Sequence, residues 1–291
     1  MQNKPLPSPE EIRTARAAHA KMRPRDLADQ LGISEAQLLA AFVGQGVTPI
    51  HPHPDQVTHA AASLGEVMAL TRNESCVHEK IGVYDNYHTG HHAAMVLTED
   101  IDLRIFPSHW RHAFAVEQEV EGGLRRSLQV FDAAGDSIHK VFVRDADVDH
   151  AWATIQSEIA LPDPVDHLAV AKRQPPEQPK SDASKVEILR KEWTRMTDTH
   201  QFMRLTSKLK MNRLGAYRIA GAPFVRALAP SAVDVMLETV RDREIDVMLF
   251  VGNRGCIQIH TGPVRTLKKM GPWQNVLDPG FNLHLRSDHI A

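Results

Sequence analysis

Residues 67–86 read VMALTRNESCVHEKIGVYDN, and residues 235–254 read VMLETVRDREIDVMLFVGNR. Both open on Val-Met, pass through a charged turn and continue into a strand-like run that ends in a turn. Their offset is 168 residues. Further on, VLTEDIDLRIF from Val96 parallels VLDPGFNLHLR from Val276, at an offset of 180. Together the two pairings predict a chain built twice. They also predict about twelve extra residues in the second copy, around CIQIHTGPVRTLKKMGPW. So long a period belongs to a duplicated domain and not to a solenoid.

Each copy has the same coarse order. Helical segments come first: PEEIRTARAAHA and PRDLADQLGISEAQLLAAFVG in the first copy, KVEILRKEWTRM and QFMRLTSKLK in the second. Strand-like segments follow, among them IDLRIF, HAFAVEQEV and RRSLQVFDAAGDSIHKVFV, with residues 132–136 as a hairpin turn. Helices followed by hairpins predict an α+β fold, each half a large antiparallel sheet with helices, and not a parallel α/β sheet. AKRQPPEQPKSDASK, 171–185, is aperiodic and rich in Pro, Gln and Lys, the composition of a linker. The expected organisation is a first repeat over 1–170, a linker over 171–185 and a second repeat over 186–291. After Ile101 the first repeat continues through more strands and the helical DVDHAWATIQSEIA, whereas ten residues follow Phe281. The second repeat is therefore expected to be incomplete at its C-terminal end.

The 291 residues suffice for a sizeable core. With 42% apolar and 24% charged residues, the composition is that of a globular chain. A net charge of −2 gives no global attraction to nucleic acid or anionic membranes, so any anion affinity must be local. Two cysteines, Cys76 and Cys256, make no disulfide framework and suit a reducing compartment. The N-terminal segment has no apolar core of a signal peptide, and no apolar run reaches membrane-spanning length. The expected location is the cytoplasm, without direct membrane insertion.

Seventeen histidines are scattered without zinc-site spacing. YHTGHH, 87–92, has the glycine of a hairpin tip. One histidine stands apart: in TDTHQF, 197–202, His200 precedes an apolar and basic helix-like run. It caps a helix or stays in solvent, or it is a lone iron ligand.

LGEVMALTRNESCVHEKIGVYDN, EDIDLRIFPSHWRHAFAV, DTHQF and DPGFNLHLR resemble the bacterial hemin-degrading factor and hemin-transport family, of the HemS and HmuS type. The resemblance runs over nearly the whole chain from about residue 10. It implies a tandem duplication that binds haem (iron protoporphyrin IX) in a cleft, within a haem-uptake system serving iron acquisition. Such proteins degrade haem with oxygen and a reductant, or act as chaperones that pass it on. The expected partners are haem, a haem ABC transporter, a reductase or a haem oxygenase. The resemblance makes His200 the axial ligand. It makes Arg104 the basic residue on the opposite haem face and a candidate catalytic residue, with Phe106 nearby, and adds Arg213 and Phe250 as further haem contacts.

The residues admit plainer readings. A single imidazole suits a haem iron that keeps its sixth position open, but Asp198 beside it is also a natural helix cap. Arg104 sits in a strand-like run and is a surface arginine unless it points into a cleft toward a propionate or an anionic ligand on the iron. Arg213 is one of several basic residues that share no helical stripe, and Phe106 and Phe250 suit an ordinary core. His78, in CVHEK, is a candidate ligand for a second haem, although the 168 offset pairs it with Asp246. PRDLADQLGISEAQLLAAF has the length of a helix-turn-helix, but its second helix carries no Lys or Arg, and no nucleic-acid partner is expected.

Overall fold

The computed structural model describes residues 5–145, 147–198 and 201–290. In chain order the first half runs α1 (Pro9–Ala18), α2 (Pro24–Leu31), α3 (Glu35–Ala40), β1 (Val47–Ile50), α4 (Pro54–Ser63), β2 (Val67–Arg72), β3 (Cys76–Gly82), β4 (Tyr87–His88), β5 (Ala94–Leu97), β6 (Asp102–Ile105), β7 (His112–Val120), β8 (Gly123–Phe131), β9 (Ser137–Val143) and α5 (Asp149–Glu158). The second runs α6 (Val186–Thr194), α7 (Gln201–Lys208), α8 (Arg213–Ala220), α9 (Ala232–Asp242), β10 (Val247–Gly252), β11 (Cys256–Gly262), β12 (Leu267–Met270), β13 (Trp273–Asp278) and β14 (Phe281–Arg286). The fold is α+β, with helices opening each half.

Local chemistry sets several of these boundaries. Ser8 and Ser34 start α1 and α3 with reciprocal capping boxes to Glu11 and Gln37, which satisfy N–H groups that a helix start leaves open. Gly32 ends α2 in the left-handed conformation, at no steric cost to a glycine. Asp132 turns the β8–β9 hairpin by accepting N–H bonds from Ala134 and Asp136.

The strands form two antiparallel sheets. One has nine strands in the order β1-β7-β8-β9-β2-β3-β14-β13-β12; the other has five, β10-β11-β6-β5-β4. Both sheets take strands from both halves. The seams are β3 with β14, where His78 faces Leu283, and β11 with β6, where Gln258 faces Leu103. Adding 180 to the first-half member of each pair gives the second-half member of the other, so the seams are images of each other.

This corrects the repeat register. Val235 lies in α9, a helix, so it cannot match Val67, which opens β2. The counterpart of β2 is β10, twelve residues on, which also begins Val-Met. A single offset of 180 then covers β2–β6 and β10–β14 without insertion, and Cys76 falls on Cys256. His78 corresponds to Gln258, not Asp246, and Phe250 to Leu70. Among the described residues β7, β8, β9 and α5 occur once, in the first half.

The chain divides into two compact units. One comprises the residues up to Arg173 together with those from Val233 onward; the other is Gln174–Ala232. In the larger unit, inward residues of both sheets, including Val67, Ala69, Val96, Leu103, Ile105, Val141 and Cys256, make a common core with Trp152 of α5. The smaller unit packs α6, α7 and α8 around Leu189, Phe202, Leu205 and Ala216, with Trp193 against Phe202. Residues 161–182 carry no helix or strand. Within the smaller unit, the backbone of Lys180 is held by Asn212, and a side chain at Gly215 would strike the Lys180 carbonyl.

Candidate functional site

Strand alternation puts one set of side chains from the five-stranded sheet into the core and the other outside. The outward set includes Met248 and Phe250 of β10, Ile257 of β11, Arg104 and Asp102 of β6, and Met95 of β5. Arg104 is registered against Ile257 and Met95, and Phe250 against Ile259. Arg104 and Phe250 therefore share a face with β11 between them, about 12 Å apart when two strand spacings across and two residues along are combined. Met248 and Phe250 are 54% and 58% exposed, high values for large apolar side chains in mid-strand. The face is an apolar strip bordered by a guanidinium.

Arg104 is not idle. Its Nη1 pairs with the Asp102 carboxylate and also donates to the Leu103 carbonyl at 3.2 Å. Asp102 is a residue that the sequence reading passed over. The signal was present, because residues two apart on a strand share a face. Phe106 lies just past β6, half-buried, and its N–H donates to the Gly255 carbonyl at 2.9 Å.

Arg213 opens α8 and is exposed. Its Nη2 lies 3.7 Å from the Met203 sulfur, and among the described residues no carboxylate pairs with it. A cation at a helix N-terminus faces the positive end of the helix dipole, so an incoming anion relieves it. The unit around it, Gln174–Ala232, holds eleven Lys and Arg against five Asp and Glu, a net +6 within a chain of net −2. His200 lies outside the described residues. Beside it, Thr197 and Gln201 pair reciprocally: the Gln201 side chain accepts the Thr197 N–H and donates to its hydroxyl.

His78 lies on the inward face of β3 and is fully buried. Its ring is 5.0 Å from that of Phe281, and neither nitrogen has a hydrogen-bond partner among the described residues. Burial, then the neighbouring His260 and Lys80, push its pKa down to about 3, so the imidazole is neutral. His260 stacks on Phe281 at 3.7 Å. It accepts from Lys80 on Nδ1 at 3.3 Å and donates from Nε2 to the Pro263 carbonyl at 3.1 Å. An iron could reach His78 only if the sheets parted. The structure thus brings Arg104 and Phe250 to one sheet face, places Phe106 at the end of β6 and puts His78 in the core.

A family model described as the haemin-degrading HemS/ChuX domain matches residues 32–159 and 210–291. The hemin transport protein HmuS of Yersinia pestis is 35% identical over 279 residues, covering 95% of this chain and 80% of that protein. The hemin transport protein HemS of Yersinia enterocolitica is 34% identical over 283 residues, 97% of this chain and 81% of that one. Among solved structures, holo-PhuS, a heme-binding protein from Pseudomonas aeruginosa, superposes with a TM-score of 0.91 at 37% identity, over 98% of this chain and 84% of that one. ChuS, an E. coli heme oxygenase, superposes with a TM-score of 0.82 at 33% identity, over 95% and 82%.

Proposed function

Since the chain belongs to the family of haemin-degrading HemS/ChuX domains, we propose that it binds haem in a haem-uptake system and either degrades it or hands it on for iron release. One observation carries the reading: the outer face of the five-stranded sheet, where exposed Met248 and Phe250 lie beside Arg104. A porphyrin has an apolar plane and two carboxylates at its edge. An apolar strip bordered by a guanidinium offers both complements at once.

In this reading His200 donates its imidazole to the iron. Phe250 and Phe106 offer apolar contact, and Arg104 and Arg213 offer cations to the propionates. Bound haem supplies a redox-active iron whose reactivity the axial ligand and nearby hydrogen bonds tune. Asp102 holds Arg104 in an ion pair, and the exposed Arg213, with no carboxylate partner among the described residues, leaves a cation free for an anion. His78, neutral and enclosed, stays outside the site.

The protein works in the cytoplasm, downstream of a haem ABC transporter and with a reductase or a separate haem oxygenase. Among the described residues no helix is long and apolar enough to cross a membrane. The chaperone reading has one observation in its favour: Arg104 already has a carboxylate partner in Asp102. A DNA-reading role fits less well, because α3, the would-be recognition helix, buries Glu35, Ala36, Leu38 and Ala40.

The test uses hemin and the whole chain. His200→Ala should lose the Soret position of a histidine-ligated ferric haem while the far-UV dichroism stays as in wild type. An unchanged Soret band in that variant would sink the ligand assignment. Aerobic turnover with a reductant, with catalase present, then separates the two outcomes. A defined tetrapyrrole product marks an enzyme, and a persistent Soret band marks a chaperone.

A further inference from the structure

The duplication allows each position of the second repeat to be read against the first. Arg213 opens α8 directly after its N-cap Asn212; Glu35 opens α3 directly after its N-cap Ser34. Each cap accepts the N–H three residues on, from Gly215 at 2.8 Å and from Gln37 at 3.2 Å. Two residues before each cap the backbone turns left-handed, at Lys210 and at Gly32. Arg213 and Glu35 thus hold the same place in the repeat, with opposite charge.

The Glu35 carboxylate is buried. It pairs with the guanidinium of Arg72 and accepts from Lys140 Nζ at 2.8 Å. Arg72 closes β2 where Gly252 closes β10. Lys140 is registered against Leu70, the counterpart of Phe250. So the first repeat has two cations beside its own copy of the Phe250 position, and those cations already hold a carboxylate. Two buried cations facing each other without an anion would be strongly destabilised. Beyond its Cα, a glutamate side chain is a propionate lacking one hydrogen, the same group that a haem carries at its edge.

We infer that the first repeat contains a second carboxylate site of the same kind, permanently filled by its own Glu35, so that the chain takes one haem and the first repeat takes none. The inference rests on the reading above that Arg213 meets a haem propionate. It explains why the second copy, where an arginine replaces the acid, is the copy open to a ligand.

Chemical rescue tests it on the whole chain. Glu35→Ala keeps Cβ and removes the rest of the side chain, leaving a space shaped like acetate beside Arg72 and Lys140. This variant should melt roughly 5–10 °C below wild type. Adding about 50 mM sodium acetate should restore much of that loss by mass action, against a sodium chloride control, and should not raise the wild-type midpoint. The double variant E35A/K140M should lose the rescue. Glu35→Gln fills the space without the charge; it guards against a misfolded alanine variant, and its midpoint should not respond to acetate. Wild type titrated with hemin should saturate at one equivalent. A rescue that is absent, or a second wild-type equivalent that Arg72→Met removes, would overturn the inference. If hemin fails to bind while the rescue persists, the haem reading fails and the Glu35-filled carboxylate site stands.

Discussion

At the scale of single residues, the site depends on who holds Arg104. A strand places Asp102 and Arg104 on one face, and they form an ion pair there. If Arg104 takes a propionate, Arg104→Ala should weaken haem binding by about 1–3 kcal/mol, the usual cost of a lost charged hydrogen bond. Asp102→Asn should act the other way and tighten binding, because the guanidinium is then released to the ligand. Hemin titration of both variants checks this, and equal affinities across all three proteins would return Arg104 to the role of a surface ion pair. Arg104 was legible in the sequence through a family resemblance. Asp102 was legible only as a neighbour on the same strand face, because whether a carboxylate two residues away holds the guanidinium is settled by side-chain geometry and not by spacing.

At the scale of strands, the inward faces of β3 and β9 set the response to acid. His78 and His139 are buried, and burial holds both pKa values down to about 3, below the ordinary 6.5. A depressed folded-state pKa means that the unfolded chain binds more protons below pH 6.5. Their contribution to stability is therefore complete above pH 6.5 and is lost progressively as pH falls toward 3, by up to about 1.4 kcal/mol per pH unit for each histidine. The two differ in partners: His139 bonds Thr71 at 2.8 Å and Tyr84 at 2.5 Å, whereas neither nitrogen of His78 has a partner among the described residues. His78→Gln places in β3 the residue that β11 carries at Gln258, and should reduce the slope of stability against pH between 6.5 and 3. Urea midpoints at several pH values measure it, and an unchanged slope would mean that His78 is protonated in the folded state. The helix-then-strand order of each copy and the Asp132–Asp136 hairpin were readable from caps, alternation and turn residues. Which strand face turns inward, and so the burial of His78, was not.

At the scale of the whole molecule, the halves do not own separate sheets. The β3–β14 and β6–β11 seams join strands far apart in the chain. Cleaving the linker should consequently leave the fragments together. Limited proteolysis near residues 174–178 followed by gel filtration should return one species at the mass of the intact chain. Residues 1–170 expressed alone should be unstable, because both seam strands would then present bare edges. Independently folded halves that separate on the column would refute the shared-sheet account. By itself the sequence determined the α+β class, the existence of a duplication and the family, since these rest on local periodicity and on long ungapped strings. The repeat register, the pairing of strands across the halves and the closure of the first-repeat site by Glu35 were decided only by tertiary structure. A Val-Met pair opens a strand at Val67 and at Val247 yet lies inside a helix at Val235. Local composition cannot choose among them, because a strand is settled by the distant partner that completes its hydrogen bonds.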